Sequence, residues 1–209
     1  EGAKNVASEA RQFSKKLILI STNFVFDGQN GPYGEEDSRE GELSKISWYG
    51  ISKLKAEEEI EKITRDNLII RITYPYRSKF EPKTDFARSI IKRYDENSLF
   101  PMFYDQTITP TFIDDLAPSI DRLIKKEAKG IFHVASPLTT TPYEFAYELL
   151  SVYKRDPKKL QKGSIVEFLK KESSTPRPIK AGMKVDKITK LGFKPTNYIE
   201  GIKQIYLEA

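Results

Sequence analysis

The 209-residue, 24.0 kDa chain is 38% hydrophobic, enough to bury one good core or two small ones. Its net charge of +5 comes from 35 Lys and Arg residues interspersed with 30 Asp and Glu residues, so no basic stripe marks a nucleic-acid track and most of the charge reads as solvated surface. The absence of Cys excludes disulfides, thiolate catalysis and a Cys-ligated metal, and the single His, His133, excludes a His-rich metal cluster.

No apolar run reaches the length of a membrane span and no signal-peptide succession opens the chain. The sequence therefore predicts a soluble, cytoplasmic protein. The chain starts without Met and already reads as helix from Ala3 to Lys16, which predicts that it is the later part of a longer polypeptide. Leu17 to Ile20 is a short apolar run ending in Ser21-Thr22, the pattern of a parallel strand buried on both faces. Gly28 to Ser47 reads as a long loop, and loops of that length usually serve a function.

Trp48 to Arg65 is helical in pattern and leads into Leu68–Ile72, a second buried strand. Helix followed by parallel strand is the grammar of an α/β sheet. Phe86 to Tyr94 predicts an amphipathic helix with Phe86, Ile90 and Ile91 inward. Phe112 to Lys126 predicts another, with Thr111 as N-cap and Asp114 and Asp115 in the first turn. Gly130 to Ala135 is a third strand, and Thr141-Pro142 opens a helix through Tyr153. Lysine-rich stretches at 154–163 and 167–172 read as connections and a short helix. Gly192 and Pro195 divide Val185 to Tyr206 into two short helices.

Tyr49 and Lys53 stand four apart at the start of the second helix and so share a face; a chain this rich in both holds such a pair roughly once by chance, so a solvated helix face is the alternative role. They follow a strand that ends in adjacent hydroxyls, and strand ends of α/β sheets are where ligands bind. Reduction of a ketone builds charge on oxygen and needs a proton donor; a Tyr with an ordinary pKa near 10 becomes a better one when a Lys ammonium favours phenolate. Thr22 would hold the carbonyl oxygen, with strand-end capping as its alternative role.

Ser21-Thr22 with Val25-Phe26-Asp27-Gly28, Tyr49-Gly50 with Ser52-Lys53 and Glu57, Asp105-Gln106 with Pro110-Thr111, Asp115-Leu116-Ala117, Gly130 to Ala135 and Pro176-Arg177-Pro178 occur in order across the chain. In this order and spacing they resemble the dTDP-4-dehydrorhamnose reductase family of extended short-chain dehydrogenase/reductases. The resemblance implies an α/β fold: the C-terminal part of a Rossmann-type doubly wound parallel sheet, at 1–76 and 111–136, with a smaller α/β substrate domain at 77–110 and 137–209. It implies reduction of a dTDP-linked 4-keto-6-deoxy sugar with hydride from NADPH or NADH.

By motif position, Thr22, Tyr49 and Lys53 would be catalytic; Ser21, Tyr49, Lys53 and Pro75 would bind cofactor; and Thr22, Asn23, Phe24, Tyr74 and Arg177 would bind the dTDP-sugar. No metal site is expected, the expected partner is the dTDP-sugar rather than nucleic acid or membrane, and monomer and homodimer both remain open. The family's glycine-rich phosphate turn has no counterpart here. Asn23 stands where the family usually has Asp, Phe24 where it has Tyr, and Tyr74 where it has Trp, which leaves the sugar open. These departures motivate a second reading, a non-catalytic regulatory module resembling the methionine adenosyltransferase regulatory subunit.

Other polar residues read as structural. His133 lies in an apolar strand pattern and reads as a packed, hydrogen-bonded residue, and Asp27 reads as an Asx-turn former. Glu35, Glu36 and Asp37 read as a solvated cluster. Arg177 reads equally as a diphosphate contact and as a surface salt bridge.

Overall fold

A computed structural model describes residues 1–37, 41–78 and 82–208. In chain order, α1 (Gly2–Gln12) leads into β1 (Leu17–Thr22), α2 (Trp48–Ile63) into β2 (Asn67–Ile72), α3 (Phe86–Asp95) into the two-residue β3 (Met102–Phe103), and α4 (Leu116–Lys125) into β4 (Gly130–His133). They are followed by α5 (Pro142–Val152), β5 (Lys162–Gly163), α6 (Ile165–Leu169), α7 (Asp186–Lys190) and α8 (Tyr198–Leu207). β1, β2 and β4 form a parallel sheet in that order, with Leu17–Thr22 against Asn67–Ile72 and Leu68–Arg71 against Gly130–His133. The expected α/β architecture with a parallel sheet is present. β3 and β5 pair separately, also in parallel.

Burial on both faces holds for β2, where only Ile72 is not fully buried, but not for β1, where Ile20 is 37% exposed. Ending the row is not enough to expose a strand, since β4 ends it on the other side and is buried from Ile131 to His133; what differs is the cover over the face that carries Ile20. The first helix stops at Gln12 rather than Lys16, because Ser14 turns the backbone into the left-handed region at φ 51°. Lys16 then bridges Asp66 Oδ1 at 2.6 Å and the Ala128 carbonyl at 3.2 Å, tying the segments that lead into β1, β2 and β4 together.

The helix expected from Phe112 begins as a tight turn at Ile113–Asp115 and becomes α-helical only at Leu116. Thr111 does not cap it. Its hydroxyl accepts from Thr73 N–H at 3.0 Å and donates to the Val134 carbonyl at 2.8 Å, joining the chain just beyond β2 to the chain just beyond β4. Asp115 instead accepts from the Thr196 N–H and hydroxyl at 2.7 and 2.9 Å, anchoring the approach to α8.

Two large apolar clusters and a small one of Val25, Phe26, Tyr33 and Leu54 make up the described interior. Of the large ones, one packs Leu68, Ile70, Phe132 and Val134 of the sheet region against Leu123 and against Met183, Val185 and Ile188. The other gathers Tyr76, Ile90, Phe145, Leu149, Ile202 and Ile205 from the region of α3, α5 and α8. α5 starts where the sequence predicts, with Thr141 and Glu144 forming a reciprocal capping box on either side of Pro142.

Candidate active site

The end of β1 and the start of α2 are built to meet. Thr22 Oγ1 accepts from Phe24 N–H at 3.3 Å and starts a one-turn 3-10 segment, Asn23–Val25. Ser47 caps α2 by accepting from Gly50 N–H at 3.2 Å. Gly50 is packed so closely that an added Cβ would collide with the Phe24 carbonyl. The bare backbone lets the first turn of α2 press on the Asn23–Val25 turn, and the Tyr49 and Phe24 rings meet edge to face with centroids 5.9 Å apart. One turn further on, Lys53 Nζ donates to the Ile20 carbonyl at 3.2 Å.

The result is a pocket of about 250 Å³ at the C-terminal ends of β1 and β2. It is lined by Ser21, Thr22, Asn23, Phe24, Tyr49, Lys53, Tyr74 and Pro75, together with Ile20, Ile72 and Thr73. Every residue nominated from the sequence except Arg177 is therefore brought together. Their side chains are not equally available. Tyr49 is 53% exposed, whereas Asn23 is buried with its amide donating to the Ala181 carbonyl at 3.0 Å. Ser21 donates its hydroxyl to Glu57 Oε1 at 2.5 Å. Thr22 donates to Asn23 Oδ1 at 3.4 Å, a long contact that leaves the hydroxyl easy to redirect.

Arg177 lies on a neighbouring pocket of about 770 Å³ that shares Phe24, Tyr49 and Tyr74 with the first. Its guanidinium sits over the Phe168 ring at 5.2 Å. Among the described residues no carboxylate lies within ion-pair distance of it, so the salt-bridge alternative finds no partner there. The segment carrying it is fixed at two points. Gly28, at φ 77°, lies so close that a Cβ would collide with Pro178. Gln106 Nε2 donates to the Pro178 carbonyl at 2.9 Å, while Gln106 Oε1 accepts from Tyr74 Oη at 3.2 Å. Tyr74 occupies the left-handed region at φ 40°, a conformation that costs a bulky residue energy and is common at binding sites. Burial raises its phenol pKa above the usual range, against the opposing charge of Arg177.

Beneath the pocket runs a buried polar row. Ser21, Arg71 and His133 are register partners on β1, β2 and β4. Arg71, with no exposed surface, grips equally buried Glu57 of α2 through Nε at 3.0 Å and Nη2 at 2.6 Å. Its Nη1 lies 3.4 Å from His133 Nε2, and a guanidinium can only donate, so Nε2 is the acceptor and the proton sits on Nδ1. Nδ1–H then donates to the Lys184 carbonyl at 3.1 Å. Burial, reinforced by the Arg71 charge, pushes the imidazole pKa down to about 3. The bland reading of His133 holds: it is neutral, packed and hydrogen-bonded.

Asp27 behaves as its sequence context predicts, its Oδ1 accepting from Gln29 N–H at 3.0 Å in an Asx turn. It also accepts from the Tyr33 hydroxyl at 2.8 Å. Burial opposes ionisation of Asp27, but these hydrogen bonds and that of Glu42 N–H outweigh it and hold the carboxyl below its usual range. Glu35 departs from the solvated reading: its carboxylate accepts from His133 backbone N–H at 3.1 Å, and burial raises its pKa. Glu36 meets Lys187 at 3.1 Å.

Sequence reasoning missed Trp48, Leu43 and Ile46, which line the larger pocket. A Trp directly before the Tyr was the available signal. Gln106, which clamps Tyr74 to the Arg177 segment, stood in a quoted motif without a role. Among the described residues no group of three or more His, Cys, Asp or Glu side chains could hold a metal, and no helix is long and apolar enough to cross a membrane.

The smaller pocket suits one half of a dinucleotide. Ile20, Ile72 and Pro75 offer apolar surface to a planar ring, and Tyr49 and Lys53 offer donors to ribose hydroxyls. The turn that follows β1 presents Asn23-Phe24-Val25, not a glycine-rich phosphate cradle.

A parallel sheet with such a pocket at its strand ends places the protein in the Rossmann-like α/β class. Within that class the chain belongs to the RmlD substrate binding domain family, whose description matches residues 1–209, a family of sugar-nucleotide reductases. A solved structure of dTDP-4-dehydrorhamnose reductase from Bacillus anthracis in complex with NADP superimposes with a TM-score of 0.87 at 26% identity, covering 100% of this chain and 71% of that one. The probable low-salt glycan biosynthesis reductase Agl14 of Haloferax volcanii is 29% identical over 77% of this chain, and the match spans 53% of that protein's length. Methionine adenosyltransferase 2 subunit beta of Bos taurus is 29% identical over 73% of this chain and 46% of its own.

Proposed function

We propose that the protein reduces a nucleotide-linked 4-keto-6-deoxy sugar, dTDP-4-dehydrorhamnose to dTDP-rhamnose, with NADPH or NADH as reductant. The observation that carries this reading is the convergence of Thr22, Tyr49 and Lys53 on one pocket at the ends of β1 and β2. A bound nicotinamide supplies hydride to the carbonyl carbon. The chain's own residues manage the oxygen. Thr22 turns its hydroxyl from Asn23 to the carbonyl oxygen and holds it. As the C=O π pair moves onto that oxygen, Tyr49 Oη–H delivers the proton, and the phenolate regains one from solvent, which its exposure permits. Lys53 adds positive charge on the same helix face and hydrogen-bonding capacity for the ribose.

In this reading Ser21 supports the cofactor side through Glu57, Pro75 lies beside the nicotinamide, Asn23, Phe24 and Tyr74 flank the sugar, and Arg177 takes the diphosphate. Residues 1–76 and 111–136 form the nucleotide-binding part and 77–110 and 137–209 the substrate part, with Met183, Val185 and Ile188 lent to the sheet core. The setting is cytoplasmic.

The test is NADPH oxidation with dTDP-4-keto-6-deoxy-L-mannose by the full-length protein and by Tyr49→Phe; equal rates for the two would sink the assignment. A second reading, a regulatory module without turnover, draws on the commitment of the Asn23 amide to Ala181 and on the likeness to the methionine adenosyltransferase subunit. Turnover by the isolated protein would remove it, and co-purification with a catalytic partner without turnover would favour it.

A further inference from the structure

Three large apolar side chains that most folds would cover converge on the mouth of the site. Trp48 is 84% exposed, Leu43 58% and Tyr49 53%. All three line the pocket of about 770 Å³ together with Phe24, Tyr74 and Arg177. Trp48 is the sole Trp of the chain. It occupies the first position of α2, directly after the Ser47 cap, and belongs to none of the apolar clusters. Nothing in helix formation requires an indole there, since Trp is an indifferent helix former. An apolar patch of this kind on a pocket wall marks a place where something else supplies the cover.

The pocket also constrains what that cover is. Tyr49 lines both pockets and Trp48 the larger one, so a molecule that reaches Tyr49 in the smaller pocket and extends into the larger one comes up against Trp48. Arg177 lines the same pocket and also, with Phe168 under its guanidinium, the adjoining one of about 550 Å³, so its guanidinium stands between the two, and among the described residues no ion pair includes it. Aromatic and aliphatic surface beside an unneutralised fork of donors matches a ligand that is part apolar ring and part phosphate. A simple anion would leave the indole uncovered, and an uncharged apolar molecule would leave Arg177 unanswered.

We propose that Trp48 is a binding residue for the sugar of a nucleotide-linked sugar, its indole lying against the C–H face of the ring while Arg177 takes the diphosphate. This deepens the reductase reading and rests on it for the identity of the sugar. Trp48 has no part in proton transfer. Its contribution falls on ground state and transition state alike and so appears in affinity rather than in kcat. The competing occupant is a second copy of this chain covering the same indole.

As the only Trp, residue 48 reports on its own surroundings. The full-length protein is titrated with dTDP-4-keto-6-deoxy-L-mannose, with dTDP alone and with inorganic phosphate while indole emission is followed, and affinities of wild type, Trp48→Ala and Trp48→Phe are measured by calorimetry. A saturable emission change with the sugar nucleotide, a smaller one with dTDP and none with phosphate is expected. Trp48→Ala should bind the sugar nucleotide about tenfold more weakly, on the scale of losing a few apolar contacts in a pocket, with Trp48→Phe recovering most of the loss. Where turnover is measurable, kcat should change by less than about twofold. Unchanged emission, or unchanged affinity in Trp48→Ala, overturns the proposal. So does a dimer that dissociates in Trp48→Ala with ligand affinity intact, since the indole would then belong to a subunit contact. Saturable emission without NADPH oxidation would remove the reductase reading and leave the binding wall standing.

Discussion

Two layers of the same strand ends solve opposite problems. The lower layer, Ser21, Glu57, Arg71 and His133, is sealed from solvent and every charge in it meets a partner. The upper layer, Trp48, Tyr49 and Arg177, is open, and Arg177 meets no carboxylate among the described residues. Buried charges that are fully paired give a fixed geometry, and removing one partner is expensive because the other is stranded. Exposed groups contribute little to stability and remain available to a ligand. The contrast is one of accessibility: the row beneath holds α2 against the sheet, and the rim formed by the start of α2 and by Arg177 stays open to the pocket.

That division can be broken from either side. The largest expected effect is on the upper layer, where Tyr49→Phe should lower turnover by about 10² to 10⁴-fold, the usual range for a proton donor, while the melting temperature stays put. A parallel loss of stability would show that the rim is structural after all. On the lower layer, Glu57→Ala should destabilise by about 3–5 kcal/mol in denaturant unfolding, since it leaves Arg71 buried beside an empty place. A change below about 1 kcal/mol would mean that water or backbone shifts rescue the guanidinium easily.

His133 separates the layers by pH. Its folded pKa of about 3 lies below the ordinary value near 6.5, so the unfolded chain takes up the proton first. Its share of stability is complete above about pH 6.5 and declines as pH falls toward 3, by up to about 1.4 kcal/mol per pH unit. Unfolding free energies of wild type and His133→Gln from pH 7 to pH 4 should differ by that slope; parallel curves would refute the neutral, buried imidazole. The smallest effect is expected from Ser21→Ala, which removes one hydrogen bond to Glu57 and should cost about 1 kcal/mol. Its kcat should be reduced if the row truly steadies α2, and an unaltered kcat would detach the two layers.

Legibility in the sequence did not follow the layers: Tyr49 above and His133 below were read, and Trp48 above and the Arg71–Glu57 pair below were not. Helical spacing alone says little about Tyr49 and Lys53; it is the hydroxyl-ended strand before them, with Thr22 at the same edge, that singles them out. Arg71 gives no such signal. Within Leu68–Ile72 it reads as an interruption of an apolar run, and its partner Glu57 lies among the charges of a helix that looks solvated all along that stretch. Only the packing of α2 on β2 reveals that this one Glu faces inward. The exposure of Ile20 was illegible for a related reason: an apolar tetrad has the same composition whether or not another element covers its face. Thr111 has the local pattern of a cap but does not act as one, because its partners, Thr73 and Val134, are distant in sequence.

The transverse alignment of Ser21, Arg71 and His133 has a consequence for how the sheet chooses its pairing. Leu17–Ile20, Leu68–Ile70 and Ile131–Phe132 are near-interchangeable greasy stretches, and such stretches discriminate poorly between alternative alignments. Sliding β2 by one residue turns its side chains to the opposite face, which would carry Arg71 away from Glu57 and leave a cation and an anion both indoors and apart. The polar row thus acts as an index mark: among many alignments that oil alone would accept, it leaves one whose charges cancel.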